Sequence, residues 1–449
     1  MRVRRFPIVF YIALLFILLF TQHLIFAADA PSSQSTPHGL NPIVLLGVAV
    51  ILVIAKLGGE VFARLGQPTV LGELISGIVA GNLFHFGFNA LEPLKSQEVI
   101  SALAELGIII MLFEVGLEAR VREMLEVGWS SLLVAIAGIV APMVLGVGIA
   151  SLFVPEEAFL GKLFIGATLC ATSVGITARV LRDMGRLRSR EARIILGAAV
   201  IDDVLGLLIL AVISGAIQAF NLGSSISYWE VVLIAVKALA FLLGSMLIGH
   251  FLVPRLINRA ARLQGDGVML ALALAFCFIT AWAAAKIGLA PIVGAFAAGL
   301  VLEEVHFESF RARGERALHE LLAPVSSVLV PIFFVLMGLK VDLKYFANMS
   351  SLGFALALTL VAIIGKQVCS LAVIERSVNR LAIGIGMIPR GEVGLIFAGI
   401  GASLMLPSVA GIREPVIGAA NFGAIIVMVI VTTIITPPAL KWVLSRKSS

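Results

Sequence analysis

The sequence predicts an all-α polytopic membrane protein: 13 transmembrane helices in two inverted six-helix repeats, with broken crossing helices. Three observations predict it. First, the 449 residues are 60% hydrophobic and 13% charged, with a mean hydropathy of +1.08, whereas soluble domains run at about 45–50% apolar and about 25% charged. Second, the apolar residues gather into segments of membrane-spanning length. Third, landmarks recur along the chain at a nearly constant offset. So charge-poor a composition excludes a cytosolic enzyme, a nucleic-acid-binding protein and a disordered chain. The 43 glycines suit close helix packing in lipid.

Arg2, Arg4 and Arg5 precede an apolar run from Pro7 to Phe20, and small residues follow at Ala27, Ala28 and Ala30. This order reads as a signal peptide over residues 1–30, the alternative being an extra uncleaved helix. Thirteen apolar segments follow, at 41–63, 68–86, 98–118, 129–153, 159–180, 194–219, 229–253, 267–288, 290–304, 320–341, 351–374, 381–406 and 414–440. They place a transmembrane domain at 41–444 and a short basic tail at 445–449.

Charge in the loops sets the orientation. With the N-terminus outside, loops expected in the cytoplasm carry 20 Lys and Arg residues and the outer loops 6. Arg179, Arg182, Arg186, Arg188, Arg190 and Arg193 form the densest group. The bias predicts a C-terminus in the cytoplasm. It also accounts for the net charge of +6 without nucleic acid. The chain is then a multi-pass membrane protein whose partner is the lipid bilayer.

Gly77 and Gly299 sit in similar surroundings 222 residues apart, as do Gly116 and Gly338. Gly175 and Gly394 are 219 apart, and Gly197 and Gly418 are 221 apart. Spans 1–6 therefore match spans 8–13, with span 7 as a linker. An offset of seven spans is odd, so the second repeat is inverted. Inverted repeats are a signature of secondary transporters, with the substrate site near the midplane.

An ionisable residue inside a span is a functional candidate, because its insertion costs about 2.5–3.5 kcal/mol or more. Asp202 and Asp203 are adjacent in span 6 with no base nearby in sequence. The pair should hold a proton, a cation or an ammonium partner. Its repeat mates, Gly423 and Ala424, are uncharged, so the repeat does not need the pair to fold. Lys366 in span 11 is a natural counter-charge for one of the aspartates. Span 5 carries Cys170-Ala171-Thr172-Ser173-Val174-Gly175, and span 12 carries Met387-Ile388-Pro389-Arg390-Gly391-Glu392. Both stretches are small, polar and glycine-bearing, and Pro389 removes a backbone donor. They read as broken helices crossing near the aspartates, with Thr172 and Ser173 as oxygen ligands. Arg390 and Glu392 act in the chemistry or form a structural ion pair. Glu73 and Glu114 either line the ion path or pair with a cytoplasmic arginine. Lys237 reads as structural and His250 as interfacial. Cys170, Cys277 and Cys369 read as small apolar residues.

Five motifs then stand in order: Pro68-Thr-Val-Leu-Gly-Glu73, Ala171-Thr-Ser-Val-Gly-Ile-Thr177, Val200-Ile-Asp-Asp-Val-Leu-Gly206, Pro331-Ile-Phe-Phe-Val335 and Pro389-Arg-Gly-Glu-Val-Gly394. Together they resemble the monovalent cation:proton antiporter superfamily. More narrowly they resemble the bacterial electrogenic sodium/proton antiporters of its second branch, over essentially all of 41–444. The resemblance implies a homodimer, with spans 1–3 and 8–10 as the dimer scaffold and spans 4–6 and 11–13 as the core ion-transport bundle. It implies Asp203 as the main ion- and proton-binding carboxylate and Asp202 as the partner of Lys366. Transient Na+ would bind at Asp203 and Asp202, with no resident cofactor. Two departures stand out. The family often ends span 2 with Gly-Pro, here Gly81-Asn82, and the nucleotide-binding domain of its potassium-efflux members is not seen.

The expected function is exchange of protons for monovalent cations, Na+ or Li+, by alternating access. The alternative on the same fold is a potassium/proton antiporter or K+ efflux transporter. A sodium-coupled symporter shares the repeat logic but does not call for adjacent aspartates. An intramembrane aspartyl protease would carry its aspartates on two separate helices, and here both lie on one.

Overall fold

The computed structural model describes residues 41–445, except 88, 90, 119–127, 187–188, 222–227, 261–266, 303–316, 345–347, 376 and 408–412. The expected signal peptide, the tail beyond Ser445 and several loop arginines lie outside the described residues. Among the described residues the regular structure is helical apart from one hairpin. Its helices are α1 (Pro42–Arg64), α2 (Thr69–Gly81), α3 (Glu98–Glu118), α4 (Trp129–Phe153), α5 (Phe159–Thr168), α6 (Val174–Asp183), α7 (Arg190–Asn221) and α8 (Tyr228–Ala260). There follow α9 (Val268–Lys286), α10 (Pro291–Val301), α11 (Leu318–Leu339), α12 (Met349–Gln367), α13 (Arg380–Gly386), α14 (Glu392–Ser403) and α15 (Ala419–Ser445). Among the described residues, nine helices are long and apolar enough to cross a membrane, and four apolar helices are shorter. Leu239, Leu243, Leu247 and Phe251 of α8 are exposed, as a lipid-facing stripe requires. This is a helical, multi-pass membrane protein.

Two compact units divide the helices. The first comprises the chain up to Glu105 together with Pro331–Asp342. Helix α1 meets α2 at Gly58 and Gly72, where a Cβ on Gly72 would lie 2.1 Å from the Gly58 carbonyl oxygen. Backbones come that close only where neither residue has a side chain. Further along α2, a Cβ on Gly77 would lie 2.5 Å from the Val335 carbonyl oxygen and 3.1 Å from Gly338 Cα. Asn82 stands just past the end of α2. Its Nδ2 donates to the Ile78 carbonyl at 2.8 Å and to the Val341 carbonyl at 2.7 Å, so the helix ends on a side chain that also ties down the chain after α11. Glu73 is buried on α2 beside Gly59 of α1, and the charge acting on it is Lys56 rather than an arginine.

The second unit comprises Leu106–Val330 and Leu343–Ser449. Here α3 and α11 approach at Gly107, whose Cβ would lie 2.5 Å from the Leu329 carbonyl oxygen. Helices α3 and α10 approach at Gly116 and Gly299, and α9 and α10 at Thr280 and Gly294. Helix α4 packs on α5 through Gly146 and Gly166, and on α12 through Pro142 and Gly365. Glu114 is half-buried on α3, and Lys237 is exposed on α8; the side chain of His250 lies outside the described ones. The three cysteines are buried and free.

The boundary between spans 12 and 13 differs from the sequence reading. Residues 405–407 and 413–415 form an antiparallel hairpin, β1 (Met405–Pro407) and β2 (Arg413–Pro415), with Leu406 opposite Glu414. The apolar pattern extended span 12 to 406 and began span 13 at 414, yet α14 stops at Ser403 and α15 starts at Ala419. Pro407 and Pro415 lack the N–H a helix needs, while a hairpin end tolerates them.

The link between α4 and α5 carries Glu157, whose Oε1 accepts from Asn421 Nδ2 at 2.9 Å. Burial pushes this carboxyl above its ordinary value near 4.5; the Asn421 bond opposes the push, Glu414 adds to it and Lys162 opposes it. A raised carboxyl favours folding most when protonated, so its contribution is complete below the ordinary value and is lost as pH rises through the raised one. Glu157→Gln keeps an oxygen for Asn421 and does not titrate. We expect its thermal stability, relative to the native chain, to improve from pH 5 to pH 8 in detergent. An equal difference at both pH values would contradict this origin.

Candidate functional site

The site lies in the second unit, where two interrupted helices meet. Helix α5 ends at Thr168 and α6 begins at Val174, leaving Leu169–Ser173 outside regular helix. Thr168 turns its hydroxyl onto the Ile165 carbonyl at 2.7 Å, taking up an acceptor of the last turn. Helix α13 ends at Gly386 and α14 starts at Glu392. Between them Pro389 supplies no N–H and disfavours helical backbone at Ile388. The two unwound stretches bond to each other: the Ser173 N–H donates to the Pro389 carbonyl at 2.8 Å. Thr177 adds a second tie, its hydroxyl donating to the Gly386 carbonyl at 2.7 Å.

This contact demands a glycine. A Cβ on Gly391 would lie 2.5 Å from Ser173 Oγ and 2.6 Å from Ser173 Cβ. Gly391→Ala should therefore push the stretches apart and cost about 1–3 kcal/mol of stability. Combining it with Ser173→Gly should restore part of the lost melting temperature. No recovery in the double variant would place the cost elsewhere.

Asp202 reaches the crossing from the middle of α7 and is fully buried. Its Oδ2 accepts from the Thr172 hydroxyl at 2.5 Å and from Lys366 Nζ at 2.9 Å. Its Oδ1 is buried and has no hydrogen-bond partner. Asp203, the next residue on α7, is half-buried, and one residue along a helix turns its side chain about 100° from that of Asp202. Lys366 is also fully buried. The sequence places it mid-span, but it stands in the last turn of α12, followed by a 3-10 turn at Val368–Leu371. Burial against Asp202 rules out a side chain snorkelling to an interface.

Arg390 is the second buried base. Its terminal nitrogens lie 3.4 Å from the Met387 carbonyl and 3.5 Å from the Ala362 carbonyl, its Nε has no partner, and its own carbonyl accepts from the Thr433 hydroxyl. The half-helix ends supply charge of both signs. The last turns of α5 and α13 present carbonyls, which suit Lys366 and Arg390; the first turns of α6 and α14 present N–H groups, which suit carboxylates. The structure thus gathers Asp202, Thr172, Ser173, Lys366 and Arg390, with Asp203 beside them on α7. Glu392 opens α14, but its side chain lies outside the described ones. Glu73 belongs to the other unit. Thr177, Gly391 and Thr433 join the site without having been singled out as ligands; hydroxyls and a glycine inside apolar spans were the available signal.

A buried carboxylate–ammonium pair where two broken helices cross suits an ion-translocating membrane transporter. The chain belongs to the sodium/hydrogen exchanger family, whose transmembrane model matches residues 49–446. It is 39% identical over 449 aligned residues to the high-affinity Na+/H+ antiporter NhaS3 of Synechocystis sp., covering 91% of this chain and 92% of that one. It is 33% identical to the Na+/H+-K+ antiporter GerN of Bacillus cereus, covering 89% of this chain and 96% of the relative. Its fold matches the sodium proton antiporter MjNhaP1 of Methanocaldococcus jannaschii with a TM-score of 0.66, at 16% identity, over 91% of this chain and all of that one.

Proposed function

We propose that the chain is a secondary active antiporter exchanging protons for a monovalent cation, Na+ or Li+ before K+, by alternating access. One observation carries the reading. Asp202 is held on one oxygen by Lys366 and Thr172, its other oxygen is unpartnered, and Asp203 stands next to it. Protons and a desolvated cation compete for these carboxylates. A cation binds only the deprotonated site, so apparent affinity rises with pH. The ions are cargo, and the cycle calls for no resident cofactor. K+ is the second reading, favoured by the likeness to GerN, which is named for both cations.

The glycine contacts support the repeat itself, while the 13 spans and the inversion rest on the hydropathy pattern and the seven-span offset. Moving Gly58 and Gly72 by 222 residues gives Thr280 and Gly294, which also touch. Moving Gly77 and Gly338 by the same offset in opposite directions gives Gly299 and Gly116, again a touching pair. Gly107 meets Leu329, its own counterpart at that offset. A repeated fold predicts matched contacts of this kind. The remaining elements follow the N-terminal pattern, the loop charges and the resemblance: a signal peptide over 1–30, an outer N-terminus, a cytoplasmic C-terminus and a homodimer built on spans 1–3 and 8–10.

The test is a proteoliposome with a trapped pH dye and an imposed proton gradient, given Na+, Li+ and K+ in turn. Dequenching by Na+ or Li+ supports the reading. A response to K+ alone moves the chain to the second reading, and no response to any of the three refutes both.

A further inference from the structure

Among the described residues Lys366 has one acceptor, Asp202 Oδ2, and a cation that took both Asp202 oxygens would displace the ammonium from it. Free in an apolar interior it would be costly, so it needs another acceptor within reach. Helix α4 has one. Pro142 is buried inside α4 and has no N–H, so the carbonyl four residues earlier, that of Gly138, loses its helical donor. Gly138 faces Cys369 and the lysine together: a Cβ there would lie 3.0 Å from Cys369 Sγ, 3.1 Å from Lys366 Nζ and 3.6 Å from Lys366 Cδ. The glycine leaves open the space along which the ammonium approaches the backbone of α4. The proline also sets the crossing. A Cβ on Gly365, the neighbour of Lys366, would lie 2.9 Å from Pro142 Cα and 3.0 Å from its nitrogen.

We propose that Gly138 and Pro142 form a second seat for the Lys366 ammonium, in which the Gly138 carbonyl receives it when a cation takes Asp202. The inference rests on the antiport reading above and assigns α4 a part in it. Both residues are positioning residues: neither touches the transported ion. The seat lowers the cost of releasing the carboxylate, so it strengthens cation binding.

The test uses the full-length protein. Pro142→Ala restores an N–H to the Gly138 carbonyl and occupies the seat. Gly138→Ala fills the approach. Each should raise the KM for Na+ about fivefold, as expected for one hydrogen bond withdrawn from the cation-bound state, with kcat changed less. Each should also shrink the thermal stabilisation by Na+, a binding readout that needs no turnover. A merely structural role is separated by Lys366→Ala. In that background Pro142→Ala should no longer alter the stabilisation by Na+, because the group that uses the seat is gone. The proposal is overturned if Pro142→Ala leaves KM and the stabilisation at native values, or if it weakens binding equally with and without Lys366. Failure of the antiport reading looks different: the unsubstituted protein would show neither exchange nor stabilisation by any of the three cations.

Discussion

Asp203→Asn is expected to abolish cation-driven proton movement, leaving the dye response at the leak of empty liposomes, while the protein still purifies folded. The side chains are nearly isosteric, and Asp203 is half-buried on a helix whose buried contacts run through Asp202 and its apolar neighbours. The amide therefore removes a titratable charge with little repacking. What is lost is the group for which proton and cation compete. In the native chain that competition has a measurable form. While the site is mostly protonated, each unit of falling pH should weaken apparent cation affinity about tenfold, and the dependence should flatten once it is deprotonated. Exchange that survives Asp203→Asn with this pH dependence intact would remove Asp203 from the ion site. Loss of the folded protein would instead give Asp203 a structural role.

The site was legible in the sequence where charge interrupts an apolar run. Asp202, Asp203 and Lys366 stand out because lipid makes such residues costly, and the polar breaks at Thr172 and Pro389 stand out because they interrupt helix-forming stretches. Pairing was less accessible. The residues alone offered Lys366 to either aspartate, and only the family resemblance singled out Asp202; the structure shows that ion pair at 2.9 Å. Thr433 could not be placed at the Arg390 carbonyl from its own segment, since that contact depends on how α15 packs against the unwound stretch. Gly138 and Pro142 were silent for a related reason. Glycine and proline occur in membrane helices for many purposes, and their meaning here comes from the crossing of α12. The hairpin escaped because Met405, Leu406 and nearby apolar residues continue the hydropathy of the flanking spans. Asn82 shows the reverse: a departure from the family pattern acquires its reason once Val341 is seen to accept from it.

Lys366→Ala should have the largest effect on stability. Both partners are fully buried, so removing the ammonium leaves a carboxylate with one donor, Thr172, and an oxygen already without a partner. Breaking a buried pair from one side costs about 3–5 kcal/mol, because the surviving charge is uncompensated. Arg390 does not replace the lysine directly: its terminal nitrogens are turned to the Met387 and Ala362 carbonyls. A proton on Asp202 does replace it in the variant, and this fixes the sign of the pH dependence. The deficit relative to the native chain should be smallest at acid pH and grow as pH rises, because holding Asp202 neutral then costs more. The same substitution changes the charge balance of transport. If the ammonium exchanges charge with the cation, as the proposed second seat requires, its loss should make surviving exchange move less net charge per cation. Thermal melts at pH 5 and pH 8 read the first effect, and a potential-sensitive dye in proteoliposomes reads the second. A variant as stable as the native chain at pH 8, with unchanged charge movement, would show that Lys366 neither holds the site together nor takes part in its cycle.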